Sequence, residues 1–242
     1  MIGPKSENLF HFTRTIDVLE GILKNGFYPR FCLEDISWAR TKDNHMAFPM
    51  VCFCDIPIGR ISEHTAFYGE FGLGLTKEWG LKNKLSPVAY THSTGAVSDL
   101  LRYIIKSDVD KLVPDEGLQK GLLNELYKQH SMMKPINGRM FVAGKPVDKD
   151  FYQESEWRHI PEFGDIINEE EFEDKKEEKN SEMEKRKLEF LPTDIKYIFV
   201  RSETDIPRIY DFIHKQLEHF PHVDIKALVT RIISLETIAN DF

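Results

Sequence analysis

The sequence predicts an α+β protein: one domain over residues 1–242, with a mixed or antiparallel central sheet and helices surrounding it. Three observations lead there. Short apolar runs rich in Phe, Val and Ile alternate with segments whose apolar residues recur every three or four positions. No segment repeats at a fixed period, so a solenoid or propeller is excluded. Seventeen Phe and eight Tyr in 242 residues supply material for one sizeable core.

Taken in order, Leu9–Phe12 reads as a short strand. Thr13 to Asp17 supply helix-start residues, and Ile16, Leu19, Ile22 and Leu23 share one helical face. Asn25-Gly26 ends that helix with residues that tolerate positive φ. Residues 34–48 are polar and mixed, which predicts a loop or a helix. Met50 to Ile56 is a nearly continuous apolar run stopped by Pro57, the pattern of a buried strand. Ile58 to Tyr68 reads as a helix, Phe71 to Leu75 as a Gly-containing strand, Lys77 to Leu81 as a short helix or turn, and Pro87 to Thr91 as a strand. Two amphipathic helices are expected over Val97–Ile105 and Asp115–Lys128, then a mixed segment with Gly turns over 134–145.

About 168–187 the composition shifts to dense Glu and Lys with almost nothing apolar. That predicts a solvated helix or a charged mobile insertion between strands. Ile195–Val200 is a strand. Asp205-Ile-Pro opens a helix through Leu217, with Pro207 early enough to be tolerated. Val223–Val229 reads as a helix start or short strand, and Arg231–Ala239 as the last strand or helix.

The formal charge of −8 argues against broad binding to a phosphate backbone, leaving a nucleic acid only the place of an acceptor. No apolar run is long enough to span a bilayer, and the polar start is not a signal peptide. Cys32, Cys52 and Cys54 form no disulfide framework, so a cytoplasmic location is expected. Cys52-Phe-Cys54 lacks the spacing of a zinc knuckle; buried small hydrophobes are the plainer reading, and no metal is expected. Gly69, Gly72 and Gly74 do not follow the dinucleotide-binding order.

The chemistry-bearing stretch is Asp150 to Glu162. As an extended strand from Phe151 to Ile160, closed by Pro161, it puts Glu154, Glu156 and Arg158 on one face. Paired carboxylates push each other's pKa apart and an arginine holds at least one ionised. Such a site suits a developing cation; a solvated edge face with a structural ion pair accounts for the same residues. Asp150, Glu154 and Glu156 with Lys149 also make a conceivable magnesium-dependent nuclease.

Several motifs together resemble a known family: His11-Phe-Thr, Gly26-Phe-Tyr-Pro, Val51-Cys-Phe-Cys-Asp-Ile-Pro, His64 through Leu75, Lys77-Glu-Trp-Gly, Pro87-Val-Ala-Tyr and Glu154-Ser-Glu-Trp-Arg. The pattern resembles the AbiGi abortive phage-resistance proteins, and its opening resembles ADP-ribosyltransferase-like proteins of the DarT type. The first resemblance implies an antitoxin in a two-component phage-defence pair, hence a toxin partner. The second implies an ADP-ribosyltransferase-like fold and a cleft for NAD, used as substrate, with ADP-ribose passed to a macromolecular acceptor or NAD hydrolysed. By that resemblance His11, Thr13, Tyr68 and Arg158 bind NAD. Glu156, or Glu154, stabilises the oxocarbenium-like state as the nicotinamide bond breaks. The alternative it leaves is a catalytically silent antitoxin on the same scaffold.

Overall fold

The computed structural model describes residues 6–39, 44–106, 115–142, 145–163 and 166–241. In chain order the strands are β1 (Asn8–Thr13), β2 (Arg30–Asp35), β3 (His45–Cys54), β4 (Phe71–Thr76), β5 (Ser86–Pro87), β6 (Ala89–Thr91), β7 (Met133–Pro135), β8 (Asn137–Val142), β9 (Lys145–Asp150), β10 (Glu156–His159), β11 (Ile167–Asn168), β12 (Ile195–Val200) and β13 (Ile232–Ser234). The α-helices are α1 (Ile16–Asn25), α2 (Ile61–Tyr68), α3 (Lys77–Lys82), α4 (Ala96–Lys106), α5 (Glu116–Ser131), α6 (Phe172–Met183), α7 (Ile206–Gln216), α8 (His222–Val229) and α9 (Leu235–Asp241). The chain is thus α+β. It forms two compact units, one of Met1–Phe27, Cys52–Ser86 and Lys187–Phe242, the other of Tyr28–Val51 and Pro87–Arg186.

In the first unit β4 lies antiparallel between β1 and β12, and β12 pairs with β13 in parallel, so the sheet is mixed. Helix α1 begins where the Thr15 side chain accepts a hydrogen bond from the Val18 amide, a cap of the kind that satisfies a free N–H. It buries Leu19 and Leu23, each stabilising by roughly 2 kcal/mol. It stops at Gly26, whose φ of 83° an L side chain rarely adopts. The glycines of β4 have a steric purpose. Phe10 lies opposite Gly74 and Phe12 opposite Gly72. A Cβ on either glycine would come within 3 Å of the opposed ring. Phe10, Phe12, Phe199, Cys54, Ile56, Ile61 and Ile238 form the core above them.

In the second unit β3 pairs antiparallel with β2 on one edge, from Arg30–Met50 to Asp35–His45, and with β11 through Ile167–Ala47. Helix α6 closes one core with Met183 and Phe172 against Phe31, Ala47 and Ile167. Of the two forms open for about 168–187, the helical one is formed here. Its exposed face carries Lys–Glu pairs one turn apart. Its inner face turns Asn180 onto the Phe31 amide at 2.8 Å.

Four expectations need correction. Phe151–Glu154 is a 3₁₀ turn, not a strand, and Ser155 follows at φ 44°. The Asp150 carboxylate takes the Tyr152 amide at 3.1 Å, and that local capping bond prevails over aromatic β-preference. Among the described residues of 34–48, Glu34 and Asp35 end β2, Ser37–Ala39 is a short 3₁₀ turn and His45–Phe48 opens β3, since pairing partners override their polarity; residues 40–43 lie outside the described residues. Of residues 134–145, Lys134 and Pro135 lie in β7, Asn137–Val142 form β8 and Lys145 opens β9, which pairs antiparallel with β8; residues 143–144 lie outside the described residues. The strand expected over Pro87–Thr91 is broken at Val88, whose amide donates to the Glu156 carbonyl.

Candidate functional site: a six-charge cluster

Strand β10 alternates as its sequence requires, with Glu156 and Arg158 buried and Trp157 and His159 half-exposed. Glu154 arrives beside them from the preceding 3₁₀ turn instead of the strand itself. Three further charges converge on these residues. Lys134 on β7 sits 2.8 Å from Glu154 Oε2 and 2.7 Å from Glu156 Oε2. Lys149 on β9 takes Glu154 Oε1 at 2.7 Å. The Arg158 guanidinium donates through Nε to Glu156 Oε1 at 2.7 Å, and through Nη2 to Glu156 Oε2 at 3.1 Å and Glu34 Oε2 at 2.6 Å. Its Nη1 donates to the Ser131 carbonyl at the end of α5.

Three carboxylates therefore face three cations. Glu154 is 4 % exposed, Glu156 5 % and Arg158 1 %. All four oxygens of Glu154 and Glu156 are engaged by cations. The Glu156 amide donates to the Tyr90 hydroxyl at 2.8 Å. Lys134 also lies over the Phe151 ring, 4.5 Å from its centre.

The electrostatics follow from burial and pairing. Burial pushes the Glu154 carboxyl up, but Lys134 and Lys149 outweigh it and hold its pKa below the usual value. Burial lowers the Lys149 pKa, with Glu154 opposing. Burial, followed by the Glu34 charge, pushes the Cys32 thiol up to about 12, which makes it a poor nucleophile. Burial also raises the Tyr90 pKa.

The remaining sequence-predicted residues lie in the first unit. His11 Nδ1–H donates to the Cys52 carbonyl at 2.8 Å, and its ring meets Phe27 edge-on and Phe53 at a tilt. Burial lowers its pKa against the opposing effect of that bond. Thr13 ends β1 opposite Phe71, and its carbonyl backs onto Gly69. Tyr68 packs on the Phe10–Phe199 core, its ring 4.4 Å from that of His64 one turn away. The structure thus brings Glu154, Glu156 and Arg158 together in one unit and sets His11, Thr13 and Tyr68 in the other.

Sequence reasoning missed Glu34 and Lys134. Lys134 sits in Met-Met-Lys-Pro, an apolar run in which a lysine is buried only with a counter-charge. That was the available signal, with two acids downstream. Asp150, a magnesium candidate by sequence, is engaged in capping. Among the described residues no group of three His, Cys, Asp or Glu could hold a metal ion, and no helix is long and apolar enough to cross a membrane.

An α+β chain with this fold and cluster is similar to abortive phage resistance proteins. A family model described as "Putative abortive phage resistance protein AbiGi, antitoxin" matches residues 25–201. An abortive phage resistance protein AbiGi from Lactococcus lactis subsp. cremoris is 30% identical over 251 residues, covering 89% of this chain and 99% of the relative. No solved structure matches. The chain belongs to the AbiGi family.

Proposed function

We propose that the protein acts in phage defence as an antitoxin, by binding a partner toxin, and that its buried carboxylates serve the fold. The observation that carries this reading is the engagement of all four oxygens of Glu154 and Glu156. A glutamate that stabilises an oxocarbenium-like state needs an oxygen available to a ribose hydroxyl. Here Lys134, Lys149 and Arg158 take those positions, in a charge-balanced setting. The family description as an antitoxin supports the same reading.

NAD chemistry is the competing reading, and one assay separates the two. Purified protein is incubated with NAD and cell lysate, and nicotinamide release is measured beside a Glu156→Gln variant. The antitoxin reading expects no release from either. Release by the parent that disappears in the variant would establish transferase or NAD-hydrolysing activity and refute it. A positive arm co-expresses the chain with candidate toxins and scores restored growth.

A further inference from the structure

Buried polar atoms are almost always hydrogen-bonded, because an unmade bond in the interior is costly. Two neighbouring rings of the second unit depart from this. Trp38, in the turn after β2, is 5 % exposed, and its Nε1–H is sealed from solvent with no acceptor on the protein. His130, in the last turn of α5, is 6 % exposed, and its Nε2 is likewise sealed and without a protein partner. The two rings meet edge-on with centres 5.3 Å apart, and Phe48 closes on the imidazole at 5.7 Å. An imidazole nitrogen stands barely more than a bond length from its ring centre, so Nε2 lies close to the indole whichever way it points. The two groups are complementary as well. An indole N–H only donates, and a neutral imidazole keeps one nitrogen as an acceptor.

We propose that a single ordered water binds between Trp38 and His130, accepting from the indole Nε1–H and donating to the imidazole Nε2. The two nitrogens do not bond directly across planes crossed at 79°. Water joins such groups, because its own donors and acceptors point tetrahedrally while each ring holds its polar direction in plane. Globular proteins bury roughly one water for every 27 residues, each with about two to four polar partners, so a donor and an acceptor in one aromatic cluster suffice. The assignment fixes His130 as the tautomer protonated on Nδ1. Burial lowers its pKa to about 4, so at neutral pH the ring is uncharged and able to accept. The site also has a place in the fold. Leu101 of α4 packs on the same indole, and the carbonyl of Ser131, next after His130, accepts from Arg158. The water thus ties the turn after β2 to the end of α5 that holds the Arg158 guanidinium. The inference is independent of whether the protein is an enzyme or an antitoxin.

The test is water–protein NMR on the isotope-labelled full chain, with the indole signals assigned through Trp→Phe variants. Trp79 is the internal control, since its buried Nε1–H already donates to the Glu189 carbonyl at 2.9 Å. The Trp38 indole proton is expected to cross-relax with a long-lived water, and the Trp79 indole proton is not. The His130 nitrogen shifts should place its proton on Nδ1. His130→Phe keeps an aromatic ring against the indole and removes the acceptor, so the water signal at Trp38 should fall several-fold. The parent spectra decide by themselves if that variant yields too little folded protein. Absence of a water signal at Trp38 overturns the proposal, as does a through-hydrogen-bond coupling between the two nitrogens, which marks a direct bond. A His130 proton on Nε2, or a Trp38 water signal unchanged in His130→Phe, also overturns it.

Discussion

Replacing Lys134 with Met keeps the length and packing of the side chain and removes a cation that touches both buried glutamates. Lys134 lies 2.8 Å from Glu154 and 2.7 Å from Glu156. After Lys134→Met, Glu154 keeps Lys149 and Glu156 keeps Arg158, but the cluster changes from three charges of each sign to three acids and two cations. Removing one partner of a buried ion pair leaves the other charge uncompensated and costs about 3–5 kcal/mol. For a chain of this length each kcal/mol moves the melting midpoint by about 2–4 °C, so a fall of about 10 °C is expected at neutral pH. Circular dichroism melts of Lys134→Met, Glu154→Gln and the double variant form a cycle. Neutralising Glu154 as well restores charge balance, so the double variant should lose less than the two single losses combined. The sign with pH is also fixed. Glu154 has a lowered folded pKa, so its contribution is complete above the unfolded carboxylate value and fades as pH falls through the folded one. A Lys134→Met protein melting within about 2 °C of the parent would falsify the structural reading of the cluster.

Other positions give sharp expectations. Burial lowers the pKa of His130 to about 4, so protons bind the unfolded chain first as pH drops below the ordinary histidine value. Stability should decline from about pH 6.5 to pH 4 by about 3 kcal/mol, and urea titrations of His130→Phe should lack that part of the decline. Gly69 has φ 120°, and a Cβ there would stand 2.2 Å from the Thr13 carbonyl oxygen. Gly69→Ala should therefore abolish soluble expression or cost several kcal/mol, whereas Gly121→Ala in α5, with open space around it, should stabilise by about 1 kcal/mol. Asn180→Leu leaves the buried Phe31 amide without its acceptor, and chemical denaturation should show a loss of about 1–3 kcal/mol.

Much of the fold was legible because its signals are local. Thr15, the Ile16–Leu23 face and Gly26 each act within one helix and fix its start, side and end. Phe71–Leu75 reads as a strand despite its glycines, because those glycines accommodate aromatic rings on β1 that belong to the same pattern. The illegible parts depend on partners far along the chain. The β2 and β3 ends are polar by composition and become strands through Glu34–Met46 and Asp35–His45 pairing. The candidate site divides the same way. Alternation gave the common inward face of Glu156 and Arg158, but Glu34 lies 124 residues from Arg158 and Lys134 lies 20 from Glu154. Sequence shows that such charges exist; only the fold shows which of them cancel.

The cancellation explains how Lys134, Glu154, Glu156 and Arg158 can lie buried, with Glu34 and Lys149 half-buried beside them. Desolvating each ion costs several kcal/mol, and a well-packed apolar replacement of a whole cluster is commonly neutral or stabilising. Net stability is therefore a weak reason for keeping it, and register is a stronger one. Glu34 comes from β2, Lys134 from β7, Lys149 from β9, and Glu156 and Arg158 from β10. Sliding β10 by one residue would turn Trp157 and His159 inward and Glu156 and Arg158 outward. Lys134 would then keep Glu154 alone, and Glu34 would lose its guanidinium. Each misalignment leaves buried charge uncompensated, so the cluster penalises wrong strand arrangements far more than it favours the right one. A catalytic carboxylate has the opposite requirement, since one oxygen must stay available until substrate arrives. In the reading proposed above, Glu154 and Glu156 give theirs to the fold, where Lys134, Lys149 and Arg158 engage them.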